Sequence, residues 1–580
     1  MKLQLIDLLH VALRQLALEA PAGLTVERTR DPTHGDFASN VAMRLAKTAR
    51  RAPRDLAADI VAAIPANAVI QKAEVAGSGF INFFLHTDVY LAELAAVQTQ
   101  GDRYGRATLA SPQRVMVEFV SANPTGPMHV GHGRQAAYGA ALASVLEAAG
   151  YNVFREYYIN DAGRQTDILA ASVWLRYLEI CGERLDFPTN GYRGEYLLPV
   201  AQQIYQRDGR ALHHPIADVL RGAPADAPAG DKELHIDALI ARARELLGVE
   251  GFEKVLRISL DAMLTDIRDD LAAFGIKFDC WTSEREFVAS GAIDRALERL
   301  HAAGHLYEKD GALWFRATTF GDDEDRVVQR ENGVRTYFAS DIAYHLDKRV
   351  RGFDTLIDVL GADHHGYVAR VRGGLIAMGE SGDCLEVCLI QLVSLFRGGV
   401  KLQMGKREAN FVTLRQLREE VGSDACRFFY LLRSNDQPLD FDLELAKSKS
   451  DENPVFYVQY AHARVASVLK ELRARQLGYD LALATQSAGR VLGSDAALAV
   501  MKSLTRYPEV IEQAAAHRAP HALVHYLREL ANALHTYYSA ERWIVPEDDV
   551  RCARLYLVQC VQQVVRNGLA VLGVSAPEAM

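Results

Sequence analysis

The chain has no apolar run long enough to cross a membrane as a helix. Cysteine is scarce: seven among 580 residues, an odd number with no paired spacing, which excludes a disulfide framework and favours a reducing cytoplasm. Cys384 and Cys388 stand four apart with no second pair nearby, so they read as small buried hydrophobes and not as zinc ligands. Positive charge is not in excess either. The 65 basic residues face 74 acidic ones, a net charge of −9, which argues against a general nucleic-acid binder, since non-specific affinity rests on neutralising phosphates. A shaped RNA gripped through local patches stays open, and Arg44, Lys47, Arg50, Arg51 and Arg54 form either one such patch or a solvated helix face. The opening Met1–Asp7 reads as the start of an amphipathic helix and not as a signal peptide. With 49% hydrophobic and 24% charged residues, the composition is that of an ordinary globular protein too long for a single core.

What is present centres on residues 121–132, Ser-Ala-Asn-Pro-Thr-Gly-Pro-Met-His-Val-Gly-His. Before them, Val115, Met116, Val117, Phe119 and Val120 form an apolar run interrupted only by Glu118, as in a strand buried on both faces of a parallel sheet. After them, Tyr138, Leu142, Val145 and Leu146 recur at helical spacing until Gly150, and a second strand follows at Val153–Ile159. In such a β-loop-α-β unit the helix N-terminus offers unpaired N–H groups to phosphate. His129 and His132, three apart across that helix start, add side-chain donors able to stabilise charge on a phosphoryl group. A histidine pair alone is more often structural. Gly131–Ala136 also fits the dinucleotide pattern G-x-G-x-x-A, with Glu156 near the ribose-binding distance, but ten residues with two prolines separate Val120 from Gly131, where a dinucleotide fingerprint follows its strand directly.

The stretch Ser121–His132 resembles the HIGH signature region of class I aminoacyl-tRNA synthetases, in the form typical of arginyl-tRNA synthetases. The resemblance implies an α/β multidomain fold: a Rossmann-like parallel-sheet catalytic domain at 111–450, with an insertion at about 171–275 and a signature loop at about 400–410, an N-terminal α/β domain at 1–110 that contacts tRNA, and a C-terminal α-helical anticodon-binding bundle at 451–580. Other segments resemble the same family in order. Thr33–Asn40, introducing a helical segment through Arg51, and Val75–Phe83 are similar to its N-terminal extension, and Gly191–Tyr196 to a segment without assigned chemistry. Asp208–Lys232 reads as an exposed linker. Phe278–Glu284 and Tyr337–His345 set carboxylates beside aromatics, and a guanidinium pairs with carboxylates in a bidentate way that an ammonium cannot reproduce. By the resemblance, Glu284, Tyr337 and Asp341 read arginine, with Ser121, Asn123 and His132 at its backbone end.

The ATP pocket implied is Pro124, Thr125, Gly126, Met128, His129, Gly131 and His132, with Asp363, His364 and His365 beyond the buried run Thr355–Leu360, and Met404, Lys406 and Arg407 from the second signature loop. There Gln403 and Gly405 depart from the KMSKS pattern, leaving Lys406 its role. Asn453-Pro454 caps a helix whose Val458, Ala461, Val465, Val468 and Leu472 share one face, and Tyr457, Tyr460 and Arg464 on it are candidate tRNA contacts. Ala579 stands where the family often has arginine. The implied reaction joins L-arginine to ATP, accompanied by Mg2+, and passes the product to tRNA(Arg), with His129, His132 and Lys406 catalytic and tRNA required before activation. No resident metal is expected, and a cytoplasmic monomer is. Two other classes remain: an RNA-binding protein that has lost catalysis, which the retained His129 and His132 oppose, and a dinucleotide oxidoreductase.

Overall fold

In the computed structural model, which describes residues 1–364, 366–402 and 412–580, the run before the histidine turn is strand β1 (Arg114–Phe119). It pairs with β2 (Asn152–Ile159), β3 (Cys280–Ser283), β4 (Thr355–Gly361) and β5 (Leu385–Ile390) in the order β5-β4-β1-β2-β3, every pairing parallel. Strands β1 to β3 step one way across the sheet and β4 and β5 the other, so the chain order reverses between β1 and β4. In doubly wound sheets that crevice, at the carboxyl ends of the strands, is where ligands sit.

Alternation along β1 sends its side chains to two faces. Val115, Val117 and Phe119 pack in one core with helix α1 (Val130–Ala148), and Met116 in another with helix α2 (Tyr337–Val350). The start of α1 departs from the usual capping residues, since the N-cap is His129, whose Nδ1 accepts from Gly131 N at 3.1 Å. Between β2 and β3, helices Arg164–Ile180, Leu198–Asp208 and Lys232–Ala273 enclose a separate core around Trp174, Tyr177, Ile236 and Phe252. The segment 208–232, which composition marks as an open linker, is pinned: Asp226 accepts from Thr189 N at 2.7 Å, and the Pro224 carbonyl meets His235 Nδ1 at 2.7 Å. Both bonds reach partners more than ten residues away in sequence, which the local proline and glycine content does not register.

The N-terminal segment builds a four-stranded antiparallel sheet, ordered Glu27–Arg28, Phe37–Ser39, Phe80–Leu85, Ile70–Ala76, against helices Lys2–Gln15, Val41–Ala49 and Pro53–Ala63. The stretch leading into Val41–Ala49 is therefore itself partly strand. From Pro454 to Leu572 the chain is helical apart from its connections, and Val458, Ala461, Val465, Val468 and Leu472 are buried as their spacing predicts. One continuous core joins the N-terminal sheet, α1 and the helical bundle. Among the described residues no helix is long and apolar enough to cross a membrane.

Candidate active site

Ahead of α1 the backbone leaves β1 through an unusual turn. Val120 and Ser121 both take positive φ, 70° and 38°, and Ser121 N bonds to the Phe119 carbonyl at 3.0 Å. A β-branched residue in that region is a true outlier, and such strain gathers at functional sites. The loop then crosses Asn123, whose amide donates to Gln165 at 2.7 Å, and Thr125, whose carbonyl accepts from the Tyr196 hydroxyl at 2.8 Å. A Cβ on Gly126 would lie 2.8 Å from that hydroxyl, so glycine there admits the tyrosine. The Gly191–Tyr196 segment thus braces the loop.

His129 and His132 stack at 3.7 Å between centroids. His132 Nδ1 accepts from His129 N at 3.3 Å, as His129 Nδ1 accepts from Gly131 N. Accepting at Nδ1 fixes the proton of each neutral ring on Nε2, which makes both Nε2–H groups donors beside the positive end of α1. Below them, Leu414 N bonds to the Met128 carbonyl at 2.8 Å and Val130 N to the Val412 carbonyl at 3.3 Å. The chain leaving the second signature loop is therefore tied to the histidine turn. Met404, Lys406 and Arg407 themselves lie outside the described residues, as does His365.

A cleft of about 1220 Å³ opens at the switch point, larger than one small ligand needs. Ser121, Asn123, His129, Gly131 and His132 form one wall, Tyr337 and Asp341 face them, and Asp363 follows β4. The histidine turn and the acidic, tyrosine-flanked helix thus meet in one cavity. Pro124 and Met128 are buried within the loop that supports it. Thr336 caps α2 through Ala339 N at 3.3 Å, and the spacing of Tyr337, Asp341 and His345 stacks them on one face. Glu284, buried just after β3, is not among the residues lining this cleft and bears on Asp341 only by charge: burial and Asp161 push its own carboxyl up to about 7. Burial likewise pushes Asp341 up to about 7, His345 opposing and Glu284, Glu118 and Asp358 assisting. Two carboxyls so poised are what a planar cation would ionise on arrival.

Sequence reasoning missed part of the lining: Gln135, Tyr158, Asn160, Tyr344, Gln391 and Leu392. Of these only Leu392, 79% exposed at the carboxyl end of β5, carries a recognisable signal, an apolar side chain where a sheet offers a ligand. The dinucleotide alternative fails on geometry. A Cβ on Gly133 would meet Leu414 and the Tyr430 hydroxyl, both at 2.7 Å, so that glycine serves packing, and Glu156 is spent on Tyr344, Thr282 and Arg351. In the bundle, Arg464 lies 4.5 Å from the Tyr460 ring and 4.4 Å from that of Tyr538, and its guanidinium contacts His535 Nδ1 at 2.9 Å, while Tyr457 donates to Asn532 at 3.2 Å. Tyr457 and Tyr460 are half-buried.

A parallel doubly wound sheet entered through a paired-histidine helix cap has the architecture of a class I aminoacyl-tRNA synthetase, and the family model for the class I (R) tRNA synthetase catalytic domain matches residues 93–180. The arginyl tRNA synthetase N terminal domain model matches 3–85, and the DALR anticodon binding domain model 458–580. An arginine–tRNA ligase of Thioalkalivibrio sulfidiphilus is 55% identical over 98% of each chain, and one of Legionella pneumophila 51% identical over 98% of this chain and 96% of its own. The arginyl-tRNA synthetase structure of Thermus thermophilus superposes with a TM-score of 0.74 over the whole of both chains at 24% identity, a likeness of fold. The chain belongs to the arginyl-tRNA synthetase family.

Proposed function

We propose that the cleft between α1 and α2 carries out both steps by which an arginine–tRNA ligase charges tRNA(Arg) with L-arginine at the expense of ATP. The observation that carries this reading is the convergence of the histidine turn with Tyr337 and Asp341 on one cavity. Asp341 and Glu284 pair with the guanidinium, Tyr337 lies along it, and Ser121 and Asn123 hold the backbone end. The arginine carboxylate attacks the α-phosphate, a P–O bond forms to give arginyl-adenylate, and the α–β anhydride bond breaks to release pyrophosphate. The Nε2–H groups of His129 and His132 stabilise the charge on the α-phosphoryl oxygens, as pre-aimed donors do best. Lys406, Met404 and Arg407 are assigned to the nucleotide, and Pro124, Thr125, Gly126, Met128, Gly131, Asp363, His364 and His365 to the rest of the ATP site. Mg2+ arrives on the nucleotide as part of the substrate and supplies charge neutralisation at the phosphates; among the described residues no cluster of side chains is set to hold a metal of its own. The terminal ribose 2′-hydroxyl of tRNA(Arg) then attacks the activated carbonyl and AMP leaves.

The remaining assignments belong to the same proposal. Residues 1–110 contact tRNA, 111–450 form the catalytic domain with its insertion at about 171–275, and 451–580 receive the anticodon, with Tyr457, Tyr460 and Arg464 as contacts. The chain works as a monomer in the cytoplasm; its seven cysteines are all free, six of them buried, which suits a reducing compartment. Pyrophosphate exchange, run with each of the twenty amino acids with and without tRNA(Arg), tests the core of this reading. Exchange dependent on arginine and tRNA supports it, and exchange with another amino acid, or none, overturns it.

A further inference from the structure

Strands β1, β2 and β4 each carry one acid, and the register sets the three in a row: Asp358 lies opposite Glu118, and Glu118 opposite Glu156. Three carboxylates on neighbouring strands repel one another unless cations stand over them. Helix α2 and its cap supply these. Arg351 pairs with both oxygens of Glu156, at 3.0 and 2.5 Å, while Lys348, 0% exposed, places Nζ 2.6 Å from Glu118 Oε2 and 3.0 Å from Asp358 Oδ1. The far oxygen of Glu118 accepts from Ser121 Oγ at 2.9 Å, and Ser121 Oγ accepts in turn from Tyr158 N at 3.1 Å. Ser121 is the second residue of the positive-φ turn that opens the histidine loop. A conformation so unfavourable persists only where its surroundings over-determine it, and here Ser121 is held by Glu118, by Tyr158 N and by the Phe119 carbonyl, with Lys348 behind Glu118.

We propose that Lys348 is a positioning residue for the arginine site, acting through Glu118 to hold the strained Val120–Ser121 turn and so to keep the Ser121 side chain at the cleft. Lys348 is fully buried and is not among the residues lining the cleft, so its effect passes through Glu118 to the serine. The inference rests on the reading of Ser121 as a contact for the backbone end of arginine. Without the lysine, Glu118 loses its ammonium partner while Asp358 keeps His345 Nε2 at 2.7 Å, so Glu118 is free to turn from the serine and the turn relaxes. The nucleotide side is spared, because the histidine turn is tied separately to Val412 and Leu414.

The test is Lys348→Met in tRNA-dependent pyrophosphate exchange. The KM for arginine is expected to rise about tenfold or more while the KM for ATP stays within about twofold, a split that a general loss of structure does not produce. Combined with Ser121→Ala, the double variant is expected to be no worse than the more impaired single one, because both break one chain of contacts. Losses that multiply, or equal rises in both KM values, overturn the proposal. Should Lys348→Met fail to fold, Glu118→Gln serves: its amide oxygen still accepts from Ser121 but its NH2 group opposes Nζ, and the same arginine-only defect is expected. An unaltered Glu118→Gln enzyme overturns the proposal. Ser121→Ala with normal arginine kinetics removes the reading of Ser121 and the proposal with it, whereas a defective Ser121→Ala beside a normal Lys348→Met removes the proposal alone.

Discussion

Asp341 and Glu284 hold protons at a pH where most carboxyls have lost theirs. Because burial raises both to about 7, the folded protein binds more protons at these groups than the unfolded chain between pH 4 and 7, and stability falls as pH rises through that window. Arginine reverses the trend, since its guanidinium pairs with the ionised forms. The KM for arginine is therefore expected to fall between pH 6 and pH 8 by about tenfold for each group that must ionise, since a carboxyl titrating near 7 goes from about one-tenth to about nine-tenths ionised, with the KM for ATP much flatter. Steady-state kinetics across that range checks it, and Asp341→Asn should remove the share of the slope that belongs to Asp341, leaving that of Glu284. Asp341→Ala is expected to lower kcat/KM for arginine by roughly 10³-fold while ATP binding persists, the size expected when one partner of a buried ion pair is deleted. His132→Ala should lower kcat by about 10²-fold and leave the arginine KM within a few-fold, as fits a donor used chiefly in the transition state. These residues were legible because acids beside aromatics and histidines at a helix start are uncommon patterns. Glu118, Asp358 and Lys348 were not. Each reads singly as an interruption or a surface charge, and only the strand register, which no local pattern encodes, sets them together.

At the scale of elements, periodicity located α1 to within a residue or two, and the histidines read across its start do sit there, although histidine is not among the usual capping residues. What periodicity leaves unsaid is how closely α1 lies on the sheet. A Cβ on Gly139 would fall 2.3 Å from Phe119 Cγ, the residue directly before the strained turn. Gly139→Ala is thus an overpacking change, expected to cost about 1–3 kcal/mol despite alanine's higher helix propensity, because Phe119 must shift inside a close-packed core. Differential scanning calorimetry should show the transition containing the catalytic sheet moving down by several degrees. A variant melting at or above the parent would mean that Phe119 moves freely. The displacement also reaches Ser121, so the arginine KM should rise with the loss of stability. The reading of 208–232 as an exposed linker holds for its accessibility, since 220–222 and 228–231 are exposed, but composition does not tell that Asp226 and His235 fasten it through single hydrogen bonds.

Across the whole molecule the order of the segments could be read from their resemblances, but their closure on one another could not. Arg28 of the N-terminal sheet pairs with Glu509 of the bundle at 3.1 and 3.0 Å and donates to Thr505, and Lys502 reaches back to Asp36 at 2.6 Å. These contacts rim a second cavity of about 1150 Å³ whose charges largely satisfy one another. Under the proposed function an acidic protein with so many internal pairs grips RNA through few points, and the candidate in the bundle is a cation stacked between rings. Arg464, half-buried against Tyr460, Tyr538 and His535, is preorganised for an unpaired base or a phosphate. The basic helix near the N-terminus is less available, since Arg44 is engaged with the carbonyls of Ala22 and Gly23 and Arg51 with Asp59. Arg464→Ala is accordingly expected to raise the tRNA KM by about fivefold or more with the arginine and ATP KM values unchanged. If the guanidinium meets a phosphate, the slope of log affinity against log salt should also fall by about one. A drop in melting temperature with tRNA affinity and salt slope intact would make Arg464 a packing residue of the bundle and move the RNA contact elsewhere.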